Sequence, residues 1–224
     1  MEIQNLKKDD LLDIIENEAK IRIDSTLESA FEMVEEVHAG IKREDNKSSF
    51  LETHVYPVTL DVIDHYRKTT KILTTLQISS AILHDVMEDN ERILDLYTSH
   101  AYGFDAYFRH RFGEYVYNVA ETLKTKSLEN YSGTENEQKT LRFVEYCSVL
   151  CQSKYDIKVI KLADRLNNMN FISQIPKHEK IKRYLREAED FYIGFALFPP
   201  NTLDFYHRIR KSYDDLKSIK IVAS

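Results

Sequence analysis

Glycine and proline are scarce in this chain, with five Gly and four Pro among 224 residues. Average usage would supply about three times as many Gly and nearly three times as many Pro. Sheet-rich folds with many tight turns draw heavily on both, because turns need φ > 0 or a preset φ. The glycines, at positions 40, 103, 113, 133 and 194, form neither a G-x-G-x-x-G fingerprint nor a Walker loop. Rossmann dinucleotide binding and P-loop NTPase chemistry are therefore excluded. Cysteine is almost absent too. Cys147 and Cys151 lie one helical turn apart and read as an ordinary pair on a helix near the core, not as a disulfide framework. The chain has no apolar run of ~18 residues and no charged-then-apolar leader, so the expectation is no membrane partner and a cytoplasmic location.

Basic excess is missing as well. The formal charge is −6, which argues against a nucleic-acid partner held by bulk electrostatics. An anionic small molecule stays open, because local charge decides that. The residues present are those of a globular protein, 42% hydrophobic and 30% charged. A chain of this length removes roughly 70% of its unfolded surface from water on folding, so it needs no disulfide or structural metal as a staple.

The apolar pattern is helical nearly throughout. Leu27, Ala30, Phe31, Val34 and Val37 fall at helix-stripe spacing, with His38 and Ile41 extending the stripe. Ser25 with Glu28 reads as a capping box, and Gly40 stands where that helix would end. A second helix is predicted over 57–71. A third, over 75–89, is apolar almost all round until its end, as a fully buried helix reads. Further helices are predicted at 105–125, 135–153, 156–172, 178–197 and 201–218, the last with Asn201 as N-cap. Residues 44–53 and 126–136 read as loops, the second with its mobility left open. The expectation is one all-α domain.

Two segments carry chemistry. His84-Asp85-Val86-Met87-Glu88-Asp89 closes the apolar third helix. On a continuing helix His84 and Glu88 share one ridge, and Asp85 and Asp89 share the next. Three carboxylates and an imidazole at the end of a buried helix are costly without a cation or a polar cavity. The plain alternative is that the helix emerges into solvent there. In the second segment, Lys161, Asp164, Arg165 and Asn168 form one polar stripe beside Ile160, Leu162, Ala163 and Leu166. Such a stripe lines something internal or is an outer face.

H-D-x-x-E-D followed further along by K-L-A-D-R-x-x-N-M resembles the hydrolase domain of the RelA/SpoT family, within the HD-domain metal-dependent phosphohydrolases. Weaker matches include His38 with Arg43 and then His54, Phe112-Gly113-Glu114-Tyr115-Val116, and Arg186-Glu187 through Tyr192. The resemblance spans roughly residues 25–197, which leaves 1–24 as an N-terminal extension and 198–224 as a C-terminal helix on the same domain. It implies an HD-type helical bundle and, since no synthetase domain follows, a stand-alone small alarmone hydrolase. Such an enzyme removes the 3′-pyrophosphate of guanosine tetra- or pentaphosphate (ppGpp, pppGpp), giving GDP or GTP plus pyrophosphate, and uses Mn²⁺.

By motif match, the resemblance implies a metal site of His54, His84, Asp85 and Asp164, a donor set that also suits other divalent ions. Glu88 and Asp89 match the acidic pair that positions or deprotonates the attacking water. Arg43 matches an arginine that stacks on the guanine base, and Asn168 a residue facing the ribose and 3′-phosphate. Lys161 and Arg165 either offset substrate charge or form salt bridges to Glu88 or Asp89. His38 reads as a buried, hydrogen-bonded histidine. His65, His100, His110, His178 and His207 match no motif and read as surface or incidental residues. The cations of 177–186 are either a solvated face or an anion-attracting rim. The first motif departs from the family pattern: Glu44 stands where it has Lys, its Gly is gone, and Pro does not directly follow His54. Those departures motivate one alternative, an HD phosphohydrolase for another nucleotide; the alternative from another class is a non-catalytic HD-like sensor that holds a nucleotide or a partner protein. The partner expected of the enzyme is a small nucleotide, with self-association left open.

Overall fold

The computed structural model describes residues 4–88, 103–175 and 177–219. Among these residues the architecture is all-α, as the composition predicts. The sole β feature noted is an isolated antiparallel bridge between Lys42 and Ser49. The chain divides into two compact units, each assembled from discontinuous segments.

The first unit comprises residues 1–22, 40–73 and 159–224. It contains helices Lys8–Asp13, Tyr56–Arg67, His178–Glu187 and Leu203–Ser218, together with most of Tyr155–Ile172. Its core includes Leu11, Ile15, Val62, Leu162, Leu166, Phe205 and Ile209, all essentially inaccessible. Each such aliphatic side chain contributes about 1.5–3 kcal/mol relative to exposure. The short helix at 8–13 continues as a π-turn at Ile14–Glu18, and Leu6 N–H donates to Glu52 O. The predicted N-terminal extension is therefore docked, because Leu11 and Ile15 reach the core. A second π-turn, Leu51–Val55, leads into the Tyr56–Arg67 helix and buries Thr53 and His54. Loop 44–49 is tied by the Asp45 carboxylate, which accepts from the backbone N–H groups of Lys47 and Ser48 and from the Ser48 hydroxyl. Desolvation opposes that carboxylate's charge, yet these bonds hold its pKa down at about 2.

The second unit comprises residues 23–39 and 74–158. Helices Ser25–Val37, Thr75–Ile82 and Gly103–Leu123 pack on one another around Leu27, Phe31, Val34, Ile78, Ile82, Phe108 and Val116. Gly113 breaks the third of these with φ 81°, ψ 165°, a conformation open to glycine and little else. Cys147 and Cys151 lie on the Glu135–Gln152 helix, but Cys151 is exposed, not near the core.

Four local expectations need correction. The N-cap of the Ser25–Val37 helix is Asp24, whose carboxylate accepts from Leu27 N–H; the Ser25/Glu28 capping box is one residue out of register. Asn201 adopts φ 68° and the N-cap is Thr202, whose hydroxyl donates to the carbonyls of Ala196 and Pro199 instead of capping the helix. His65 is not a surface residue. It is 4% exposed, packed on Phe205, and its pKa is pushed down to about 4 by burial. The helix predicted over 75–89 ends at Ile82, and residues 83–88 form successive turns. There His84 Nδ1 lies 2.8 Å from Ala81 O. That carbonyl is the acceptor the Asp85 amide would use in a continuing helix, so the side chain competes with the ladder. His84 and Glu88 accordingly sit on turns and not on a helical ridge.

Candidate functional site

The first unit holds His54 and Asp164. The π-turn at Leu51–Val55 points the His54 imidazole inward, 2% exposed, with Phe50 tilted against it at 4.8 Å between ring centroids. Asp164 comes from the Tyr155–Ile172 helix. His54 Nε2 faces Asp164 Oδ1 at 3.6 Å, which is too long for a good hydrogen bond.

The proton on this histidine follows from its neighbours. Asn167 Nδ2 donates to Thr53 O at 3.1 Å. Asn167 Oδ1 accepts from Arg43 Nη1 at 2.7 Å, and a guanidinium can only donate. The amide orientation is thus settled without reference to His54. His54 Nδ1 lies 2.8 Å from the same Oδ1, so Nδ1 carries hydrogen and donates. In the neutral ring Nε2 is then a lone pair facing a carboxylate oxygen. Two acceptors face each other in a buried place, which is favourable only with a proton or a cation between them. Two donors ~2.1 Å from one ion stand about 3–3.5 Å apart. The imidazole–carboxylate pair fits a divalent ion in chemistry, and its 3.6 Å separation lies just above that range.

His84 and Asp85 repeat the pattern in the second unit. With Nδ1 directed at Ala81 O, His84 Nε2 lies 3.2 Å from Asp85 Oδ2. His84 is buried and Asp85 half-buried. Glu88 is exposed, and its carboxylate accepts from the backbone N–H of Thr125. Asp89 lies outside the described residues. In the same unit, Tyr115, Asn118, Thr122, Gln152, Lys154 and Asp156 help to line a cleft of about 450 Å³ that no sequence motif announced.

The residues matched to substrate contacts have other partners. Arg43 is 5% exposed. It donates to Thr53 O, Asn167 Oδ1 and Asn168 Oδ1, lies 3.8 Å over the Phe171 ring and approaches Glu44 at 3.7 Å. It is a buried tie between loop and helix. Asn168 joins Arg43 to Asp164, accepting from the first and donating to Oδ1 of the second. Lys161 pairs with Asp164 Oδ2 at 2.7 Å. Arg165 pairs with Glu187 at 2.8 Å and lies between Tyr184 and Tyr192, 4.7 and 4.2 Å from their ring centroids. Burial opposes its charge, but Tyr192, Glu187, Tyr184 and Asp164 outweigh it and hold the pKa raised.

Among the described residues Lys161 and Arg165 thus both enter salt bridges, with Asp164 and Glu187; Asp89, one partner that alternative named, lies outside them. Their stripe faces inward. The cations of the His178–Glu187 helix are partly matched as well: Lys180 by Glu44, Lys182 by Glu179 and Arg183 by Glu187. Burial, then Arg183 and Arg43, bring the Lys180 pKa down to about 8. His38 is buried, with Nδ1 3.2 Å from Val34 O. Asn167, Phe171 and Tyr184 were not among the residues singled out in the sequence, and Glu187 and Tyr192 entered only as a weaker motif match. Asn167 occupies a wildcard position of the second motif, although a polar residue there beside a stripe of ligand types was the available signal.

No protein-family model matches this chain, and no curated protein matches it. No helix among the described residues is long and apolar enough to cross a membrane.

Proposed function

We propose that this protein is a divalent-metal-dependent phosphohydrolase that removes the 3′-pyrophosphate of guanosine tetra- or pentaphosphate, with Mn²⁺ as the working ion. The observation that carries the reading is the buried pair of His54 Nε2 and Asp164 Oδ1, 3.6 Å apart and both presenting lone pairs. His84 and Asp85 form a second such pair, and His54, His84 and Asp164 are all buried. By the motif resemblance all four residues are metal donors.

A divalent ion held there supplies Lewis acidity at a phosphoryl oxygen and lowers the pKa of water. The reaction adds one water: its oxygen bonds to the phosphorus next to the ribose 3′-oxygen, the 3′-O–P bond breaks, the 3′-oxygen takes up one proton in place of phosphorus, and pyrophosphate departs carrying the water's oxygen. Glu88 and Asp89 are the carboxylates assigned to receive the water's proton. Lys161 holds Asp164 Oδ2, which keeps Oδ1 turned toward His54.

A second reading, hydrolysis of another nucleotide, draws on Arg43. Its hydrogen-bonding edges are engaged by Thr53, Asn167 and Asn168, and Glu44 lies beside it. The test is pyrophosphate release from ppGpp with and without added Mn²⁺, beside a nucleotide panel. Mn²⁺-dependent release from ppGpp is the expected result. Turnover of other nucleotides alone would transfer the activity to the second reading, and bound nucleotide surviving intact with Mn²⁺ would leave a sensor.

A further inference from the structure

We infer that Asn167 is a positioning residue that fixes the His54 tautomer, so that Nε2 is the nitrogen presented to a cation. The assignment rests on three contacts whose polarity is unambiguous. Arg43 can only donate to Asn167 Oδ1, Thr53 O can only accept from Asn167 Nδ2, and the amide is locked between them. His54 Nδ1, 2.8 Å from that oxygen, has no option but to donate. A histidine that ligates a metal commonly donates its other ring N–H to an oxygen, which sets the ring's orientation and raises its basicity. Here the oxygen belongs to a neutral amide whose own orientation is set by a buried guanidinium stacked on Phe171. The device reaches further, because Arg43 Nη2 also donates to Asn168, which donates to Asp164. One arginine thereby orients both an imidazole and the carboxylate opposite it.

The consequence for metal affinity rests on the metal-dependent reading above; the tautomer does not, being a property of the metal-free protein. The experiment uses ¹⁵N-labelled metal-free full chain and long-range ¹H–¹⁵N correlation of the histidine rings at neutral pH, with His54 identified by its loss in His54→Gln. Wild type is expected to show the Nδ1–H form. Asn167→Leu, similar in size but without an acceptor, is expected to populate Nε2–H and to lower Mn²⁺ affinity by about 10–100-fold, the range for such outer partners. An Nε2–H signal in wild type overturns the inference, and so does an Asn167→Leu protein with unchanged tautomer or, where wild type binds Mn²⁺, with unchanged affinity. Should Asn167→Leu fail to fold, the wild-type spectrum alone still decides. Nδ1–H in wild type, lost in Asn167→Leu, with no Mn²⁺ bound by either protein, would support the positioning role and remove the metal-dependent reading.

Discussion

His54 and His84 each bring an imidazole Nε2 to a carboxylate oxygen, at 3.6 and 3.2 Å, and reach that arrangement by different means. His54 is oriented by residues distant along the chain: Asn167 lies 113 positions away, and Asn167 is held in turn by Arg43, 124 positions off. His84 is oriented locally, by the carbonyl of Ala81 three residues back, and its carboxylate is the adjacent residue. The first arrangement exists only once the first unit has folded. The second needs one helix end and a turn. Chemically alike donors can therefore differ widely in how much of the fold depends on them, and substitutions should separate ligand chemistry from scaffold.

Asp164→Ala is expected to have the largest effect. Mn²⁺ affinity and turnover should fall together by more than about 100-fold, beyond the range for outer partners. Stability should also drop by about 1.5–3 kcal/mol, because the half-buried Lys161 loses its charge-assisted hydrogen bond to that carboxylate. His84→Ala should match the first loss and not the second. Isothermal calorimetry with Mn²⁺ and urea unfolding measure both, and an equal stability cost in the two variants would remove the contrast.

Glu187→Ala tests scaffold alone. It strands Arg165 between two tyrosines and should cost about 3–5 kcal/mol while leaving Mn²⁺ affinity unchanged. A loss of metal binding in a folded Glu187→Ala protein would show that Arg165 serves the site directly.

Acid pH provides a test remote from either pair. His65 has its folded pKa depressed to about 4 by burial, against about 6.5 in the unfolded chain. The unfolded state binds the proton more readily, so this stabilisation is complete above about pH 6.5 and lost as pH falls toward 4. Up to roughly 3 kcal/mol is at stake. His65→Phe should flatten that part of the thermal stability–pH curve, and an unchanged slope would place the acid sensitivity elsewhere. Arg183→Ala should do least. Its contact with Glu187 is 3.6 Å long and its side chain 39% exposed, so less than about 1 kcal/mol is expected. The difference from Glu187→Ala measures what burial adds to an arginine–glutamate contact.

Much of this architecture was legible in the residues. Five of the expected helices lie within a few positions of their observed bounds, because a 3.6-residue apolar stripe is a local signal repeated over several turns. The departures have local causes that periodicity does not register. Asp24 took the cap from Ser25 by one residue of register. The apolar run through Leu83 continued the helical pattern, but the His84 ring took a backbone acceptor and ended the helix. Leu11 and Ile15 form too short a stripe to announce a docked helix. His65 matched no motif, and burial is not a property of one residue.

The order of amino acids alone determined that the chain is helical, that glycine-loop phosphate binding is absent, and which imidazoles and carboxylates are the candidate donors. Tertiary structure alone decided who partners whom. It made Arg43 the tie that orients Asn167 and Asn168, gave Lys161 to Asp164 and Arg165 to Glu187, and brought Asn167 Oδ1 against His54 Nδ1. The reason is physical. Helical periodicity is written within a few residues, whereas a buried charge or amide must find its partner among whatever packing brings near it, and that neighbourhood comes from far along the chain.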